Sequence, residues 1–288
     1  MQSLPNTISP YQEMVAYELI WARPEMTVKS VTELFAKYKK LPSQIVESDR
    51  VKFPPELEMQ VRKHLENKKG FSVSIVGTYQ YPSELRKSIH PLELFYYRGN
   101  IDLLSTRGIS IVGSRKCSDE GKQRTRQLTS ALVKAGFTII SGLALGVDTE
   151  AHTTAIREGG QTIGVIGTPI DEYYPKENKE LQDEIACNHL LIAQVPFYKH
   201  HIEPFSAHRF WFPKRNETMA ALSCATVIVE ASDTSGSLTQ ARECLRQNKK
   251  LFILDSCFNR KDVKWPKNYE AKGAIRVKTM DDIFKVLL

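Results

Sequence analysis

From residue 71 onward the chain keeps one cadence: a short β-branched or aliphatic run, a turn, then a longer stretch of helical period. The runs at 72–76, 109–112, 137–140, 162–166, 190–194, 226–229, 251–254 and 274–277 read as strands. Stretches 120–135, 149–158, 177–187, 217–223, 238–247 and 281–288 read as helices. Several strand runs are apolar throughout, as strands covered on both faces must be. Strands alternating with helices build a sheet that is largely parallel and wrapped by helices, so the expected class is α/β.

The first 70 residues lack that cadence. Segments 11–22 and 28–38 space apolar residues at three and four, the period of a helix with one buried face. Thr27 is placed to cap the second, and Pro55 to open a third helix over 56–69. That helix ends in Lys68, Lys69 and Gly70, which suit the negative end of the helix dipole and a left-handed stop. The expected organisation is a small helical domain over 1–70 and an α/β domain over 71–288.

With 288 residues, 41% hydrophobic and 25% charged, the chain can bury a core without disulfides or metals. No apolar stretch approaches the roughly 20 residues needed to cross a bilayer. The first residues, MQSLPNTISPYQEM, lack the basic and apolar regions of a secretory signal. We expect a cytoplasmic protein that does not enter a membrane. Forty basic against 33 acidic side chains leave a net charge of +7, a modest bias toward polyanions. The five cysteines form neither a CxxC pair nor a Cys/His cluster, which reads as reduced structural thiols and no metal site.

Ligands of open α/β sheets sit beyond the carboxyl ends of the strands, so the loops there should carry function. Those loops are rich in small residues: Gly113, Ser114, Arg115 and Lys116; 141–148, containing Gly142; 167–169; and 232–237, with Ser235, Gly236 and Ser237 before a helix. Small residues let backbone N–H groups approach an anion, and a helix start adds a favourable dipole. Each loop alone also reads as a tight strand-to-helix turn; together they describe a phosphate-binding rim. Neither GxGxxG nor GxxxxGK[ST] is present, so no dinucleotide or ATP cofactor is indicated.

Segment 199–216, KHHIEPFSAHRFWFPKRN, joins four cations, Lys199, Arg209, Lys214 and Arg215, to Phe210, Trp211 and Phe212. Cations neutralise phosphates while aromatic faces stack on unpaired bases, a combination suited to single-stranded nucleic acid. The plainer reading is a surface loop with at least one ring plugged into the core. Its three histidines also read as solvated loop residues.

The run YPSELRKSIHPLELFYYRGNIDLLSTRGISIVGSRK, followed by SGLALGVDTEAH, GGQTIGVIGTPIDEYYPKEN, FPKRN and SGSLTQARE, resembles the DNA-processing protein A (DprA/Smf) family over about 79–254. The resemblance implies an extended Rossmann-like domain that binds single-stranded DNA, commonly as a homodimer, and hands it to a RecA-type recombinase without catalysing a reaction. It places phosphate-binding roles on Gly113, Ser114 and Arg115 and on the basic element Phe212 to Asn216, with Ser235, Gly236 and Ser237 lining the same pocket. Asp148 and His152 match a further motif and read first as a helix cap and a packing group. The chain departs from the family at Glu217, where another basic residue is usual, and over 259–272. It has no counterpart of a C-terminal winged helix, and its first 70 residues do not resemble the usual N-terminal domain closely.

Two other readings stay open. One is a DprA-like component of a toxin-antitoxin or anti-phage module that acts through a cognate toxin or a nucleotide ligand. The other is a nucleotide-cleaving enzyme in which Glu230 or Glu243, with Arg242, imitates a paired arginine and glutamate near a glycine-rich loop. For Arg242 and Glu243 a packing or ion-pair role is the simpler one.

Overall fold

The computed structural model describes residues 8–49 and 52–288. The start of the N-terminal segment considered above, residues 1–7, lies outside them. Four helices come first: α1 (Pro10–Ala22), α2 (Val28–Tyr38), α3 (Pro42–Ser48) and α4 (Pro55–Leu65). The α/β part then runs β1 (Ser72–Ile75), β2 (Leu94–Gly99), β3 (Gly108–Val112), α5 (Asp119–Lys134), β4 (Thr138–Ser141), α6 (Val147–Arg157), β5 (Thr162–Ile166), α7 (Lys179–Asn188) and β6 (Leu190–Ala193). It continues through α8 (Phe197–Ile202), α9 (Phe205–His208), α10 (Trp211–Leu222), β7 (Ala225–Ile228), α11 (Ser237–Arg246), β8 (Lys250–Leu254), α12 (Asp255–Phe258), α13 (Trp265–Glu270), β9 (Ile275–Val277) and α14 (Asp281–Leu287).

The strands form one sheet in the order β1-β2-β6-β5-β4-β3-β7-β8-β9. From β6 to β9 all pairs are parallel, whereas β2 runs antiparallel to both β1 and β6. The sheet is therefore mixed at one end. Strand β2 had no place in the expected set because no helix separates it from β3; a short 3-10 turn at Ile101–Ser105 makes the connection, and the strand-helix cadence is broken there.

Alternation along each central strand feeds two cores. Ile109, Ile111, Ile139, Val227 and Phe252 face α5, α6 and α14. Val112, Ile140, Ile228, Leu251 and Ile253 face α10 and α11. With both faces covered, these strands must be apolar on both sides, as their sequences are.

The N-terminal helices share a core with the sheet. Tyr17, Ile20 and Trp21 cluster with Tyr96 of β2, Phe197 of α8 and Trp211 of α10. Helix α1 is buried nearly all round, Glu13 and Glu18 included, rather than on the one face its spacing suggested. The reason is that α3 and α4 pack on it from one side and β1 and α8 from the other. Thr27 does cap α2, its Oγ1 accepting from the Ser30 N–H at 3.2 Å. Pro55 opens α4, which stops at Leu65, earlier than expected.

Residues 197–222 correct the largest local expectation. They form α8, α9 and α10 rather than an open loop. Lys199 is buried beside Glu203, His200 and His208 stack at 3.6 Å, and His201 stacks on His64 at 4.7 Å.

Candidate functional site

The chain order reverses direction across the sheet at β3, which has β4 on one side and β7 on the other. Such a switch point opens a crevice at the carboxyl ends of the two strands. A cleft of about 540 Å³ lies there, walled by Gly113, Ser114, Arg115 and Lys116 after β3 and by Ser232, Ser235, Gly236 and Ser237 after β7. Helix α10 closes it with Phe212, Arg215 and Asn216.

Much of the rim's backbone is already engaged. Ser114 N–H donates to the Glu230 carbonyl at 2.7 Å, and Lys116 N–H to Ser114 Oγ at 3.1 Å. Ser235 N–H donates to the Ser232 carbonyl at 3.0 Å, and the Ser235 and Ser237 hydroxyls bond each other at 2.6 Å. The backbone N–H groups of Arg115 and Gly236 have no acceptor among the described residues, and both residues line the cleft. The anion-binding capacity therefore rests on unengaged backbone donors such as these and on the exposed side chains of Arg115 and Lys116.

Arg215 is inside the wall. Its Nη1 donates to the carbonyls of Gly142 and of Val165, the latter at 2.9 Å, and Nε donates to Asn216 Oδ1 at 3.0 Å. Burial lowers its affinity for the proton, and the neighbouring Asp148 offsets part of that. Asp148 lines the same cleft, and its Oδ2 accepts from the Gly142 N–H at 3.2 Å. Burial pushes the Asp148 carboxyl up, against the pull of Arg215. Asp148 thus ties the 142–144 loop to the first turn of α6 and does not cap that helix; Gly146, with φ of 80°, occupies the cap position. His152 is the packing group expected, fully buried with Nδ1 2.7 Å from Thr162 Oγ1, and burial pushes it down to about 3.

Three expected contacts fall elsewhere. Gly142 does not line the cleft; a Cβ there would lie 2.0 Å from Arg215 Nη1, so the glycine exists to seat the guanidinium. Lys214 points to the opposite side of α10, where it pairs with Glu217, whose carboxylate also lies 3.1 Å from His90 Nδ1. Glu217 is thus the partner of that lysine and does not line the cleft. Trp211 is buried, its ring 5.3 Å from Trp21 and its Nε1 bonded to Glu203 at 3.1 Å, so it has no face to offer a base.

Phe210 and Phe212 differ from it. Phe210 is 63% exposed with Arg209 over its ring at 5.1 Å. Phe212 stands in the cleft wall with Arg115 over it at 5.7 Å and the half-exposed Tyr174 ring 5.3 Å away. Tyr174 was not anticipated. The signal was its place in the EYYP run, but only the fold carries the 167–175 loop to α10.

The residues considered for a nucleotide-cleaving pair have other partners. Glu230 accepts from Ser118 N–H and Oγ at the start of α5, Glu243 pairs with Arg246, and Arg242 rests on Thr239. Among the described residues no three His, Cys, Asp or Glu side chains are grouped to hold a metal, and no helix is long and apolar enough to cross a membrane.

The family model for DNA recombination-mediator protein A matches residues 72–288. The chain belongs to that family. The DNA processing protein DprA of Streptococcus pneumoniae is 37% identical over 174 residues, 60% of this chain and 59% of the relative, so the match spans less than two thirds of that relative's length. DprA of Bacillus subtilis is 30% identical over 268 residues, 92% of this chain and 87% of its own. Among solved structures, S. pneumoniae DprA superposes with a TM-score of 0.78 at 27% identity, covering 97% of this chain and 98% of that one. A structure describing the single-stranded DNA binding mode of Helicobacter pylori DNA processing protein A has a TM-score of 0.63 at 29% identity, covering 75% and 95%. The family match thus spans the sheet, and the likeness to the S. pneumoniae structure takes in the N-terminal helices as well.

Proposed function

We propose that this chain is a noncatalytic binder of single-stranded DNA that holds one or two nucleotides in the switch-point cleft. The observation that carries it is the join of an exposed cation to an aromatic wall: Arg115 lies over Phe212, whose ring also neighbours that of Tyr174, in a cleft lined by Gly236 as well. A planar guanidinium grips phosphate bidentately, and an aromatic face accepts any unpaired base. Duplex DNA offers no free base face to such a wall. The H. pylori relative's described binding mode supports the same ligand class. Homodimer assembly and delivery of the strand to a RecA-type recombinase are the further roles this reading would serve. The toxin-neutralising alternative has no residue of its own to rest on and is not carried forward.

Fluorescence anisotropy with labelled single-stranded and duplex oligonucleotides over a salt series tests it. Arg115→Ala should weaken single-strand binding and reduce the salt slope by about 0.7, one phosphate's share. Lys214→Ala should leave that slope unchanged, because its ammonium is held by Glu217. Equal affinity for duplex, or an Arg115→Ala slope identical to wild type, would refute the cleft as the binding site.

A further inference from the structure

The stretch 259–272, which stands apart in the sequence but which the family model spans, is fastened to the wall of the cleft. Asp233, in the loop after β7, accepts from the backbone N–H of Lys264 at 3.0 Å and of Trp265 at 2.9 Å. Trp265 Nε1 donates to the Ala231 carbonyl at 3.0 Å, and Tyr269 Oη to the Leu238 carbonyl at 2.9 Å. Ser232 and Ser235, on either side of Asp233, line the cleft. The position of α13 relative to the cleft is therefore set by hydrogen bonds and by the burial of Trp265 in the core beneath α11.

What this fastened segment presents outward is charge. Lys261, Lys264 and Lys267 are exposed, and no ion pair among the described residues uses any of them. The acids nearby are engaged elsewhere: Asp262 pairs with Arg260 and Asp233 holds the backbone, which leaves Glu270. Arg242 stands between segment and cleft, its Nη2 3.4 Å from Thr239 Oγ1, and Thr239 itself lines the cleft. Unpaired cations held at fixed positions along one edge of an anion site extend its field outward and engage successive phosphates.

We propose that Lys261, Lys264 and Lys267 form a second contact for the phosphate backbone, taking up the strand where it leaves the cleft past the 232–237 loop. This rests on the reading of the cleft as a single-strand site and adds a direction and a length to it. The strand runs from Arg115 across the Ser235–Ser237 wall to α13, so the site is longer than the nucleotides the cleft encloses.

The test compares oligothymidylates of about 2 and about 25 nucleotides, lengths that the cleft encloses and that overrun it. Wild type, Arg115→Ala and the triple variant Lys261→Ala/Lys264→Ala/Lys267→Ala are titrated over a salt series, with circular dichroism melts and sedimentation on the same samples. The triple variant should bind the short oligonucleotide as wild type does and the long one with a salt slope smaller by about 2, three phosphates at about 0.7 each. An unchanged slope for the long strand, or an equal loss for both lengths, overturns the proposal while leaving the cleft intact. So does a change confined to assembly, with affinity per cleft preserved. If wild type binds neither length, or Arg115→Ala changes nothing, the cleft reading falls and this proposal with it. A charge-reversed Lys264→Glu/Lys267→Glu variant, expected to lose still more affinity for the long strand alone, guards against compensation by neighbouring lysines.

Discussion

Gly142 and Gly236 look alike in sequence, each a glycine in a loop after a strand, yet they carry different duties. At Gly142 an added methyl would collide with Arg215, whereas at Gly236 it would meet nothing within 4 Å, at a φ of −60° that any residue adopts. Gly142→Ala should displace a buried guanidinium from its carbonyl partners and cost roughly 3 kcal/mol, read as a shift in the urea midpoint. Gly236→Ala should melt with wild type and weaken DNA binding only, because its methyl stands where a phosphate must approach. A Gly236→Ala protein that binds normally would remove that wall from the site. The sequence could rank these glycines together as rim residues but could not separate them, since the discriminating atom lies 73 residues from Gly142 in the chain.

Among elements, α10 shows best what was legible and what was not. Its FPKRN motif stood out in the sequence as part of a loop, and the structure brings it, as helix, to the same cleft as Arg115 and Ser235. Which side chain faces the cleft was not legible, because residues within little more than one turn of the helix point in three directions: Lys214 to Glu217, Arg215 into the wall, Trp211 to Trp21. Trp211→Ala should therefore act on stability, by about 3 to 5 kcal/mol, with DNA affinity per folded molecule unchanged. Phe210→Ala should do the reverse, leaving the melt alone and costing about 1 to 3 kcal/mol of single-strand binding if its exposed ring stacks on a base. Strand β2 was missed for a related reason. The period of a strand is local, but membership of this sheet depends on pairing with Leu190–Ala193, nearly a hundred residues away.

For the whole molecule, the decisive contact is between α1 and the α/β part. Glu18 is fully buried and accepts from the Phe197 N–H at 2.8 Å, the Tyr198 N–H at 2.9 Å and the Tyr96 hydroxyl. Burial pushes its carboxyl up to about 7 despite those donors. A carboxyl raised in the folded state binds its proton more tightly there than in the unfolded chain. Its contribution is therefore fully present below about pH 4.5 and is lost as pH rises toward 7, by on the order of 3 kcal/mol. Urea unfolding at pH 5 and pH 8 should show a fall in stability across that interval in wild type that is smaller in Glu18→Gln; parallel changes in both proteins would remove Glu18 as the source. The division into 1–70 and 71–288 has its own test. A chain beginning at residue 71 would expose Tyr96, Phe197 and Trp211, and we expect it to be less stable than the full protein and to bind the dye ANS.

That same contact sets a schedule for synthesis. Helix α1, destined for burial on nearly every side, leaves the ribosome well before its partners, and the backbone groups that receive Glu18 are made 179 residues later. At about 5 to 20 residues per second this is roughly 10 to 35 s. Over that interval α3 and α4 can shield part of the helix, but the side destined for Tyr96 and Phe197 stays open, and a nascent chain stalled before residue 197 is the form of this protein most in need of a chaperone.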